Sequence, residues 1–199
     1  MQANTCGTFF KGVITMKLFS SLLILSLAIL SMAGEVAPLP VFSLPALDSR
    51  NAIVEVFHER SADGSKISVT VVFKDEDHPC WLADIPYDIY RFFRYGRIFD
   101  IETFYLYLNA DGSLQGIEFP GVYSGDHRFE DTRDLHGSAY ITADEILFLE
   151  QRPVVYVNTW NHMFGPKPSF DLNAETLLFE YPLSPGGRDA AEGKYSWHW

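Results

Sequence analysis

The tetrapeptide Ala-Asp-Gly-Ser occurs twice, at 62–65 and 110–113, and each copy separates two runs rich in β-branched and aromatic residues. Before the first copy, Ile53, Glu55, Phe57 and Glu59 alternate with Val54, Val56 and His58; after it, Lys66 to Phe73 returns. Period-two alternation on both sides of Asp-Gly predicts a β-hairpin, with glycine taking the positive φ that the turn needs. Ile101–Leu108 and Leu114–Phe119 frame the second copy in the same way. The flanks differ, so shared turn chemistry explains the recurrence better than an internal repeat. Val154–Val157 and Thr176–Tyr181 read as further strands.

Two helical segments interrupt this pattern. In 84–96, Asp84 can cap, Pro86 suits a first turn, Gly96 can end the helix, and Ile85, Ile89, Phe92 and Phe93 share one face. In 142–151, Thr142-Ala143-Asp144-Glu145 has the form of a capping box, Ile141 and Ile146 are spaced as a hydrophobic staple, and Pro153 forces an end. The expected fold is α+β and β-rich: a mostly antiparallel curved sheet or small barrel with two short helices, a sandwich being the alternative. One domain is expected over 51–183. Residues 34–50, with three prolines, are expected as an extended lead-in, and 184–199 as a C-terminal tail.

The start of the chain bears on destination rather than fold. Met16-Lys17 precedes an apolar run, Leu18 to Leu30, which ends at Ser31-Met32-Ala33-Gly34. A positive charge, a short apolar core and small residues at Ser31 and Ala33 predict a secretory signal peptide, 1–33, cleaved after Ala33. Residues 1–15 read as an extended or spurious N-terminus. The run is shorter than a membrane span needs, so no stable membrane insertion is expected after cleavage. Removal takes Lys11 and Lys17 but no acid, from a chain already at a net charge of −11. So acidic a protein is a poor match for nucleic acid. Cys6 leaves with the leader, and Cys80 alone cannot build an internal disulfide.

Four segments hold chemically capable side chains. The loop 120–137 carries Asp126, His127, Asp134 and His136; imidazoles beside carboxylates suit ligand binding, and Asp126 with Asp134 are the candidate metal ligands. Arg128 and Arg133 compete for those acids, which also suits a solvated, ion-paired loop. The end of the Val154–Val157 strand carries Asn158, Trp160, Asn161 and His162. Here His162 and Asn158 are the candidate catalytic pair, and Trp160 and Asn161 the candidate ligand contacts. The competing reading ties the asparagines to their own turn and puts Trp160 in the core. Cys80 follows His78, a spacing that suits either a nucleophile or an inert thiol. Asn109 to Glu118 matches a calcium loop in part, but Tyr107 stands where the first carboxylate belongs.

No nucleophile elbow, zinc-protease motif or phosphate-binding glycine loop occurs. The expectation is a secreted, extracellular binding protein, an effector or ligand carrier, whose partner is a small molecule, a glycan or an extracellular protein. No cofactor is expected beyond a divalent metal, which the loop acids admit. The alternative is a small secreted enzyme, a hydrolase or isomerase with a His/Asn/carboxylate site. Plentiful acids also leave room for a carboxylate-pair glycosidase.

Overall fold

The computed structural model describes residues 39–131 and 136–197. The expected leader, Asp134 and His198 lie outside the described residues. The strands, in chain order, are β1 (Val41–Pro45), β2 (Ile53–Arg60), β3 (Lys66–Phe73), β4 (Asp100–Leu108), β5 (Leu114–Tyr123), β6 (Gly137–Thr142), β7 (Phe148–Leu149), β8 (Arg152–Val157), β9 (Phe164–Gly165), β10 (Glu175–Leu178) and β11 (Leu183–Pro185). The helices are α1 (Trp81–Tyr95) and α2 (Arg188–Tyr195).

Both predicted hairpins form, as β2–β3 and β4–β5, and β3 joins them antiparallel to β4. Their turns are built alike. Asp63 accepts from the backbone N–H and hydroxyl of Ser65, and Asp111 does the same for Ser113. Gly64 and Gly112 take φ of 74° and 83°. The Asp-Gly-Ser sequence thus closes each loop onto its own backbone.

The sheet is β-rich and curled, but it is mixed rather than mostly antiparallel. Its order is β10-β1-β8-β9-β5-β4-β3-β2-β11. The parallel pairs are β1–β8, β2–β11 and β5–β9. Two of these bring in segments expected to lie outside the domain. Val41–Pro45, placed in the lead-in, is a fully buried strand between β8 and β10. Arg152 pins its entry by donating to the carbonyls of Leu39 and Pro40. Residues placed in the tail form β11 and α2, whose Ala191 packs on Phe57, Val72 and Ile101.

Helix α1 begins three residues before Asp84, and Gly96 ends it in the left-handed region as expected. Its orientation is the reverse of what its apolar stripe implies. Ile85, Ile89 and Phe93 are 54–79% exposed, while Arg91 is buried. The capping-box segment is not a helix beyond the single 3-10 turn Ala143–Glu145. Thr142 Oγ1 donates to the Glu145 carboxylate and caps no backbone N–H. Glu150 and Gln151 then take positive φ and reverse the chain into β8, which holds Pro153 as a strand residue. The core runs through Phe42, Phe104, Phe119 and Phe164, with Phe104 ring contacts at 5.0–6.3 Å.

Candidate functional site

His162, expected near the surface, is completely buried. The chain turns sharply here, with His162 itself at φ 52°. Its Nδ1 lies 2.8 Å from Asp100 Oδ2 and its Nε2 3.2 Å from Asp48 Oδ2. Its ring stacks on Phe73, centroids 3.8 Å apart. Burial alone would push the imidazole down; the hydrogen bonds and charges of Asp100 and Asp48 instead hold it protonated, up to about 10. Both nitrogens are thus occupied by protein, and His162 serves as a buried cation between two acids.

Its neighbours are equally engaged. Asn158 Nδ2 donates to Ser124 Oγ and the Lys167 carbonyl, and its Oδ1 accepts from the Ser169 N–H. Trp160 is 2% exposed and donates to the Asp131 carbonyl, which joins the 126–136 loop to the end of β8. His127 pairs with Asp131, and His136 Nδ1 bonds the Gly121 carbonyl. Asp126 is exposed. Among the described residues no three His, Cys, Asp or Glu side chains are placed to hold a metal ion. The His78 ring accepts the Cys80 backbone N–H rather than engaging its exposed thiol.

Asn161 is the exception. It is 4% exposed, and its Oδ1 accepts from Thr159 Oγ1 at 2.7 Å. Its Nδ2 is buried with no hydrogen-bond partner among the described residues. A buried donor left unpaired is costly and needs an explanation. Asn161 lines a recess of about 190 Å³ whose other walls include Glu76, Tyr87, Arg91, Asp100 and Glu102.

The recess is built by three segments. Asp100 and Glu102 are two apart on β4, the spacing that puts both side chains on one face. Glu76 follows β3, and α1 turns Tyr87 and Arg91 inward. Arg91 meets Asp75 at 3.1 Å and Glu76 at 3.4 Å and donates to the Ile98 carbonyl. This buried pairing explains why α1 faces the protein with its polar side. Tyr87 donates to Glu76 at 2.8 Å.

Three carboxyls at one small recess cannot all ionise easily. Burial and the Asp100 charge push Glu76 up to about 7 against the pull of Arg91 and His162. Burial, Asp100 and Glu76 hold Glu102 well above the carboxylate range. Burial is the largest influence on Asp100 and would raise it, but the hydrogen bond and charge of His162, with the charges of Arg91 and Arg97, together outweigh it and Asp100 stays low. The recess thus presents a carboxylate held ionised beside two held toward their protonated forms, a pattern common at functional sites.

A larger groove, about 660 Å³, lies between the β2–β3 turn and the start of α2. It is open to solvent, and Arg60 on its wall is tied to the Gly64 carbonyl. The smaller recess holds the buried polar groups, so it is the better site. Sequence reading passed over Asp100, Glu102 and Arg91. The signal was present: Asp100 and Glu102 occupy alternate positions of a strand, and Arg91 lies inside an amphipathic helix.

The chain matches no protein-family model, no curated protein and no solved structure.

Proposed function

We propose that this is a secreted binding protein that holds a small polar molecule in the recess between α1 and β4. The Nδ2 of Asn161, without a partner among the described residues, carries the reading: it is a buried donor on the wall of a cavity, and a ligand oxygen there would satisfy it. The volume is below the roughly 300 Å³ at which drug-sized sites begin, so the ligand is small. Tyr87 and Tyr90 add aromatic surface to the charged lining. Secretion rests on the signal-peptide pattern ending at Ala33.

Titration calorimetry with monosaccharides, amino alcohols and amino acids tests this. A member of the set should bind the wild type at one site and lose most of its affinity on Asn161→Leu, with Ser113→Ala as the remote control. If every compound fails to bind, or binding survives Asn161→Leu, the recess is not the site.

A second reading, a small secreted hydrolase or isomerase, draws support from Glu76. A carboxyl held near 7 beside an ionised Asp100 suits acid–base work at neutral pH. Both nitrogens of His162 are taken and Asn158 is tied to its turn, so that role would fall to Glu76. Product formation from a bound compound, lost in Glu76→Gln, would favour the enzyme.

A further inference from the structure

We propose, resting on that reading of the recess, that its ligand is a small amine bearing a hydroxyl, an amino alcohol or amino sugar. Its ammonium group sits among Glu76, Asp100 and Glu102, and its hydroxyl oxygen accepts from Asn161 Nδ2.

Arg91, Arg97 and Arg188 line the recess beside Glu76, Asp100 and Glu102. Each cation near it is already committed. Arg91 holds Asp75 and Glu76, and His162 holds Asp48 and Asp100. Arg97 and Arg188 share Glu192, at 3.6 and 2.8 Å. Glu102 is left with Arg188 at 3.8 Å. Its side chain is 15% exposed, so little water reaches it. Buried carboxyls in this position either keep their protons or receive a cation from outside.

The cation has an organic shape. An organic ammonium would use the aromatic part of the lining as well as its acids. Tyr90 and Phe99 line the same recess, aromatic surface of the kind that the carbons beside an ammonium pack on. Asn161 supplies the second point of recognition. As a donor it selects an oxygen acceptor, which a plain alkylamine lacks and an amino alcohol carries.

The reading implies a proton balance. An ammonium entering the recess favours ionised Glu76 and Glu102, so binding expels protons to the buffer. Affinity therefore rises with pH for an amine that stays protonated.

The experiment is titration calorimetry on the protein in 0.15 M salt, which screens the general attraction of an acidic surface for cations. The probes are ethanolamine and glucosamine, with ethylene glycol and glucose as their uncharged counterparts. At least one amine should bind tenfold or more tightly than its counterpart. Repeating that amine's titration at pH 7 in buffers of different ionisation enthalpy should show proton release. Ethanolamine, if it binds, should gain severalfold in affinity from pH 6 to pH 8. Glu102→Gln and Glu76→Gln, each checked for a cooperative melt, should lower amine affinity at least tenfold. Equal binding of glucose and glucosamine, lost in Asn161→Leu, would overturn the amine and keep the recess as a binding site. Amine binding untouched by both glutamine variants would place the amine elsewhere and overturn the proposal. Failure of all four probes would overturn the amine class, while the recess stands or falls on the wider set of compounds above.

Discussion

Asp100 Oδ2 lies 2.8 Å from His162 Nδ1 although the two residues are 62 positions apart, and neither side chain is more than 8% exposed. With Asp48 on the other nitrogen, one buried cation is shared by two buried anions. Removing the cation leaves both acids uncompensated, which costs about 3–5 kcal/mol in comparable buried pairs. His162→Ala is therefore expected to lower the denaturant midpoint sharply. An unchanged midpoint would show that the three groups are not coupled.

The same cluster sets a pH dependence. His162 is raised from about 6.5 to about 10, so its contribution is complete below pH 6.5 and is lost as pH rises toward 10. Glu76, raised to about 7, works in the same direction between its unfolded value and 7. Asp100, held low, opposes them only at the acid end. Stability should peak near pH 5 and fall steadily to pH 10, by urea denaturation. Glu76→Gln should flatten the part between 5 and 7. A maximum at pH 8 or above would refute the assignment.

At the other edge of the sheet, Glu55 accepts from Lys194 at 2.7 Å, Tyr195 at 2.6 Å and Ser184. Glu55→Ala leaves the Tyr195 and Ser184 hydroxyls without their acceptor. About 1–3 kcal/mol of destabilisation is expected, with faster proteolysis after residue 182. Cleavage at the wild-type rate would mean that α2 is held by Ala191 packing alone.

Thr142→Ala should change stability by less than about 0.5 kcal/mol, because the exposed Thr142 side chain reaches only the Glu145 carboxylate. A loss of about 1 kcal/mol, typical of an N-cap, would indicate a longer helix than the 3-10 turn.

Cys80 is free and exposed at the start of α1. A thiol reagent should label it in the native protein without denaturant, and reductant should leave the melting midpoint of the monomer unchanged. Labelling only after unfolding would put the thiol inside.

What could be read from the residues was mostly local. The two hairpins and the end of α1 were legible because Asp-Gly turns and Gly96 act within a few residues. The terminal strands were not, because Val41–Pro45 becomes a strand only through distant partners on both sides. The face of α1 was misread for a related reason. A hydrophobic stripe predicts burial, but Arg91 has three acids and two backbone carbonyls gathered around it. The strand end at 158–162 drew attention for the right residue types. Asn158, Thr159, Trp160 and His162 close on protein partners, and among the described residues Asn161 Nδ2 does not.

The placing of β1 between β8 and β10, and of β11 beside β2, also orders events during synthesis. The hairpins can pair as soon as they leave the ribosome, but the seams at β1 and β2 wait for β8, β10 and β11. Such non-local closure slows folding and leaves strand edges uncovered meanwhile. Arg188, which lines the recess, follows every strand in chain order. A chain stopped before α2 would thus hold formed hairpins but a recess without its Arg188 wall.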